Sequence, residues 1–146
     1  MHGNFWQHDH MTILLADIDT YLRRRLRKRL EKVSGVTVVG ESSNSTETTA
    51  MILNRNPDVA ILSSLLEGGS GLDVLRHVRQ LMVPPTIIVV TDNLSLDHNN
   101  AYSVAGADFI CEKVSDDRSV IGIIRLLCDS HRQTDVMDSS FATRHE

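Results

Sequence analysis

The sequence has no CxxC pair, no apolar run of membrane-spanning length and no excess of positive charge. Its two cysteines, Cys111 and Cys128, lie in apolar stretches without metal-ligand spacing. That excludes a zinc module or a disulfide scaffold and marks both as reduced core thiols of a cytosolic protein. MHGNFWQHDH lacks the apolar centre of a signal peptide, so a cytoplasmic location without membrane contact is expected. The formal net charge is −4, so no global basic field marks nucleic acid as a partner. GGSG, Gly68 to Gly71, lacks the lysine and the spacing of a phosphate-binding loop and reads as a flexible loop before a helix. No nucleophile stands beside a base, so no enzyme is expected.

What is present is a regular alternation. The 146 residues, 41% apolar and 23% charged, suffice for one domain with its own core. Strand patterns at Thr12–Ala16, Val36–Gly40, Asp58–Leu62, Thr86–Thr91 and Asp108–Cys111 alternate with helical ones. The helices are expected at Thr20–Lys32, at Thr46–Arg55, around Leu72, Leu75 and Val78, at Leu96–Ala105, and from Ser115 to Asp129 behind an acidic N-terminus at Asp116 and Asp117. Short apolar strands alternating with helices predict an α/β fold: a doubly wound, five-stranded parallel sheet covered on both faces, with right-handed crossovers. Residues 12–129 form the domain; 1–11 and 130–146 read as polar tails, and His2, His8, Asp9 and His10 in the first are not expected to hold a metal. The functional crevice of such a sheet lies at the carboxyl ends of its strands. Those ends carry Asp17, Ile18 and Asp19; Glu41; Ser63 and Ser64; Thr91, Asp92 and Asn93; and Glu112 and Lys113.

One helix stands out by charge. YLRRRLRKRLEK sets Arg23, Arg24, Arg25, Arg27, Lys28 and Arg29 around a Leu22, Leu26, Leu30 stripe. Such runs are usually solvated faces, but like charges this close repel, which calls for an acidic counterpart. No aromatic interleaving or recognition-helix motif accompanies them, which argues against DNA.

Five segments in order carry a family resemblance. ILLADIDTYLRRRLRKRLE, VTVVGESSN, PDVAILSSLLEGGSGLDVLRHVR, IIVVT and AGADFICEK resemble the successive segments of a receiver domain of two-component response regulators, nearest the NarL/FixJ group. The resemblance implies a flavodoxin-like (βα)5 sheet of strand order 2-1-3-4-5 and a pocket with two acids after the first strand to hold Mg²⁺, a nucleophilic aspartate after the third, a hydroxyl after the fourth and a lysine after the fifth. Placed residue by residue, Asp17 fills the first acidic position and Ile18 the second; Ser63 falls on the nucleophile; Thr91 and Lys113 are retained. Ile110 stands where the family has its switch aromatic and Glu67 where it often has proline.

The chain therefore resembles an atypical pseudo-receiver without the phospho-acceptor aspartate. One carboxylate and a serine hydroxyl make a poor Mg²⁺ site, so metal binding is expected to be weak or lost and no cofactor is expected. Serine without a base is a weak nucleophile. Asp92, beside Thr91, is a candidate partner for Lys113 in place of a phosphoryl group, and Asp19 is expected to cap the next helix rather than bind metal. The degenerate pocket is then Asp17, Ile18, Ser63, Thr91, Asp92 and Lys113. In the family the first helix faces histidine kinases and phosphotransfer proteins, which makes Arg23, Arg24, Arg27 and Lys28 the expected partner-binding residues. The function expected is regulation of signalling or transcription by phosphorylation-independent protein–protein contact, with a homodimer built from the first and last helices or the fourth and fifth. DNA is expected to be reached only through an output domain absent from these residues. The alternative is a sensor binding a small ligand or ion through the altered pocket.

Overall fold

The computed structural model describes residues 10–113 and 117–130. The polar tails, and the expected helix start at Ser115 and Asp116, lie outside the described residues. The elements are β1 (Met11–Ala16), α1 (Thr20–Leu30), β2 (Val36–Ser42), α2 (Ser45–Arg55), β3 (Val59–Ser63), β4 (Leu65–Leu66), β5 (Gly69–Ser70), α3 (Gly71–Val78), β6 (Thr86–Thr91), α4 (Leu96–Ala105), β7 (Phe109–Glu112) and α5, residues 118–130. The five long strands form one parallel sheet, order β2-β1-β3-β6-β7. This is the expected order 2-1-3-4-5 once the two-residue strands β4 and β5 are counted in sequence. The starts of α1 to α4 each have a side chain to accept an orphan N–H: Asp19 for α1, Asn44 for α2, Ser70 for α3 and Ser95 for α4.

The period of two along each strand splits the core into two layers. Ile13, Leu15, Val59, Ile61, Ile88 and Cys111 pack with Leu26 and Leu30 of α1 and Val120 and Ile124 of α5. Leu14, Ala16, Ala60, Leu62, Ile87 and Val89 pack on the other face with Ile52 of α2, Leu75 of α3 and Tyr102 of α4. Both cysteines are buried free thiols, and burial holds that of Cys111 above its ordinary pKa.

One departure from the sequence bears on the site. GGSG is not a plain loop. Leu65 pairs with Ser70 and Leu66 with Gly69 in an antiparallel hairpin. Gly68 takes φ +76 at its turn, a conformation glycine supplies at little cost. Glu67 at the tip binds the β2–α2 loop, accepting from Ser45 N–H at 2.9 Å and donating its own N–H to Ser43 O at 2.8 Å. The hairpin thus ties the end of β3 to the end of β2.

Candidate functional site

Alternation decides which residues can meet at the strand ends. Asp17 continues the Ile13, Leu15 face of β1, Ser63 the Val59, Ile61 face of β3, and Lys113 the Cys111 face of β7. All three turn toward α1 and α5. The Lys113 ammonium lies 3.0 Å from Asp17 Oδ1 and 3.5 Å from Ser63 Oγ. Ser63 is 2% exposed and its hydroxyl accepts from Leu65 N–H at 3.2 Å. Among the described residues no carboxylate or imidazole bonds it, so nothing is placed to activate it as a nucleophile. Asp17, Ser63 and Lys113 line a partly open space of about 30 Å³ together with Arg23 and Asp117 and with Leu15, Leu22, Leu26, Ile61 and Val90. It holds about one water molecule, against roughly 300 Å³ or more for an organic ligand.

Thr91 has the other parity and joins the Ile87, Val89 face. Its hydroxyl is fully buried and hydrogen-bonded to His98 Nε2 at 3.0 Å, while accepting from Asn93 N–H at 3.0 Å. The His98 ring lies 4.8 Å from that of Tyr102. Burial raises the Tyr102 phenol above its ordinary pKa, against a hydrogen bond to the Leu72 backbone. So α4 supplies the rings that Ile110 leaves missing on β7. His98 and Tyr102 escaped the sequence reading, although their i, i+4 spacing just past Thr91 is a usable signal.

The structure therefore unites Asp17, Ser63 and Lys113 and separates the rest of the expected set. Lys113 pairs with Asp17, not with Asp92, which is exposed and makes no ion pair among the described residues. Asp92 falls two residues beyond Val90, and the chain has left the sheet there. Ile18 is 44% exposed, pinned by its N–H to Leu65 O. Asp19 caps α1 through Leu22 N–H at 3.0 Å. A divalent metal does not fit these residues. Of the two carboxylates lining the pocket among the described residues, Asp17 is already bonded to Lys113 and to Asp19 N–H and Asp117 is paired with Arg25, while Ile18 and Ser63 offer a hydrocarbon and a hydroxyl.

Both Asp17 and Lys113 are largely buried, so removing one charge strands the other. Lys113→Met is expected to cost about 2 kcal/mol, and Asp17→Asn with Lys113→Met less than the sum of the singles by about 1 kcal/mol. Urea titrations of the four proteins measure this coupling; strict additivity would show that the pair contributes nothing.

The acidic counterpart of the basic helix is Glu41, at the end of β2. It takes Arg23 Nε at 2.9 Å and Arg27 Nη1 at 2.5 Å. Arg23 also donates to Asp17 O, Arg27 reaches Glu31, and Arg25 pairs with Asp117 at 3.3 Å. Of the expected partner-binding set, Arg23 and Arg27 are thus committed inside the fold, while Arg24 and Lys28 are exposed. Burial works to raise the Glu41 carboxyl pKa, but the hydrogen bonds and charges of Arg27 and Arg23 outweigh it and hold it below the ordinary value. A depressed carboxyl contributes stability that is full above the unfolded pKa of about 4.3 and drains as pH falls through the folded one. Glu41→Gln should therefore cost about 1 kcal/mol at neutral pH and progressively less below about pH 4. Chemical denaturation at both pH values reads the difference; a constant gap would deny the linkage.

Comparison with known proteins places this geometry. The family model of the response regulator receiver domain matches residues 13–125. The nitrate/nitrite response regulator protein homolog of Haemophilus influenzae is 34% identical over 102 residues, 68% of this chain and 48% of the relative. Transcriptional regulatory protein LiaR of Bacillus subtilis is 29% identical over 115 residues, 77% of this chain and 54% of the relative. The chain spans about half the length of these relatives. Among solved structures, a LuxR-family two-component response regulator from Aurantimonas sp. SI85-9A1 superposes with a TM-score of 0.75 at 24% identity, covering 83% of this chain and 86% of that one. A CheY-like receiver domain protein from Methanospirillum hungatei JF-1 superposes with a TM-score of 0.74 at 24% identity, over 86% of this chain and 98% of that one.

Proposed function

Because the chain belongs to the response regulator receiver domain family, we propose that it is a signal-transduction receiver that works by protein–protein contact, with a pocket closed to aspartyl phosphorylation. One observation carries this reading: at the end of β3 stands a buried hydroxyl, and the lysine that would meet an incoming phosphoryl group is engaged by Asp17. Two cations, Arg23 and Lys113, and two carboxylates, Asp17 and Asp117, leave the pocket close to neutral without a metal. Phosphoryl transfer depends on positioning and charge neutralisation, and neither a nucleophile nor a metal cage is available for it.

The partner of this reading is a protein: a histidine kinase, a phosphotransfer protein or another regulator. Its contact on α1 centres on Arg24 and Lys28, with Tyr21, 72% exposed, one turn before them. A two-fold homodimer sets a patch against itself, so the cations of α1 and α5 disfavour that face. The α4–β7 face, where Val104 and Phe109 are exposed, suits a homodimer better. No helix among the described residues is long and apolar enough to cross a membrane.

Incubation with acetyl phosphate and Mg²⁺, followed by intact mass, tests the closed pocket. The expected result is no phosphoryl increment, and no amide shifts at Asp17, Ser63 or Lys113 on adding beryllofluoride. A stoichiometric increment on Ser63 or Asp17 would overturn the reading.

A further inference from the structure

Between α1 and α5, away from the strand ends, lies an open groove of about 580 Å³ lined by Arg29, Lys32, Arg118, Ile121, Gly122 and Arg125. Four of these six residues are cations and none is an acid, in a chain whose net charge is −4. Arg118, Gly122 and Arg125 stand at i, i+4 and i+7, one stripe of α5, facing Arg29 and Lys32 across the groove. Arg29 and Arg118 also interact within the chain; Lys32 and Arg125 are exposed.

Gly122 is the second, independent observation. It sits within α5, where glycine is unfavourable relative to alanine. A Cβ built on it meets no atom within 4 Å among the described residues, and its φ is outside the left-handed region. Neither internal packing nor backbone conformation calls for glycine there. What its missing side chain does is leave the groove floor at backbone level, where a bound molecule can approach closely.

We propose that this groove is a binding site for a small polyphosphorylated molecule, of the inorganic polyphosphate or nucleoside polyphosphate class. The volume falls in the range of small-molecule sites, about 300–1,000 Å³. Three of the four cations are arginines, whose planar forks take phosphate oxygens two at a time. The bare floor at Gly122 lets the phosphate chain approach the helix backbone, and the partly buried Ile121 offers an apolar contact to the nucleoside of a nucleoside polyphosphate.

The test is an amide-correlation NMR titration of the full chain at fixed ionic strength with inorganic tripolyphosphate and, in parallel, with ATP. Saturable shifts are expected at residues 29–32 and 118–125. Arg125→Glu and Gly122→Leu should each weaken binding about tenfold, a loss of about 1.4 kcal/mol. Gly122→Leu should at the same time raise the melting temperature, because leucine is the better helix former; a residue kept for structure alone would not combine gained stability with lost binding. The control Arg76→Glu with Gln80→Glu, exposed residues on and just after α3 on the opposite face of the sheet, should leave binding unchanged. Tighter ATP than tripolyphosphate binding identifies the nucleoside form, and the reverse the inorganic form. Non-saturating shifts would overturn the site. So would equal weakening by the control pair, which would mean diffuse charge attraction, or displacement of tripolyphosphate by a poly-glutamate peptide at lower concentration, which would make the groove a protein-docking face.

Discussion

Gly71→Ala will lower the unfolding free energy by about 2–4 kcal/mol, and it will do so through the end of β3. A Cβ on Gly71 would collide with the carbonyl oxygen of Ser63 and lie 3.2 Å from its carbonyl carbon. These are backbone atoms, so no rotamer relieves the clash. Ser63 is held by its pairing with Val90, and Ser64 N–H donates to Val90 O at 3.1 Å. On the other side, Gly71 opens α3 immediately after the capping box of Ser70 and Asp73. Accommodating one methyl therefore means moving the strand end or giving up the cap and the hairpin behind it. Either movement displaces Ser63 from Lys113. Urea titration reads the stability, and amide shifts at residues 63–65 read the displacement. A loss under about 1 kcal/mol, below what overpacking ordinarily costs, would show that this junction yields without strain.

That junction also marks where the sequence stops being readable. Long strands and helices announce themselves by period, and β6 at Thr86–Thr91 and α4 at Leu96–Ala105 form over the very residues their patterns predict. The strand order is implied by the family resemblance, while the parallel sheet covered on both faces follows from the same alternation. The hairpin at Leu65–Ser70 does not, because two-residue strands are too short to show a period and the tip is set by a tertiary contact between Glu67 and the β2–α2 loop. The site was half legible. Counting from Ile61 and Val89 along each strand puts Ser63 and Thr91 on opposite faces, a signal present in the sequence. The pairing of Arg23 and Arg27 with Glu41, 18 and 14 residues away, was not present in it. Spacing on one helix reveals repulsion among its own cations but not which neighbouring strand carries the acid.

Supplying the two missing carboxylates should create a Mg²⁺ site at the ends of β1 and β3. In Ser63→Asp alone, a second buried carboxylate must share Lys113 with Asp17, and the like charges should cost roughly 1–3 kcal/mol. Adding Ile18→Asp puts a third acid at the mouth, at a position already 44% exposed, where its own desolvation is slight. Without metal the double variant should be the least stable of the set. With Mg²⁺ the order should reverse, because the hard cation takes oxygen ligands and neutralises the cluster. Binding stabilises by about 2.7 kcal/mol when the metal is at a hundredfold its dissociation constant. The wild-type melting temperature should not respond to Mg²⁺, while that of the double variant should climb with it. Acetyl phosphate should then add a phosphoryl group to the double variant, because a carboxylate at position 63 offers the nucleophile that a base-less serine does not. A double variant indifferent to Mg²⁺ would mean that something other than Ser63 and Ile18 closes the pocket, with the Lys113–Asp17 pair the next element to break. A wild-type response as large as the variant's would mean that the pocket was never closed.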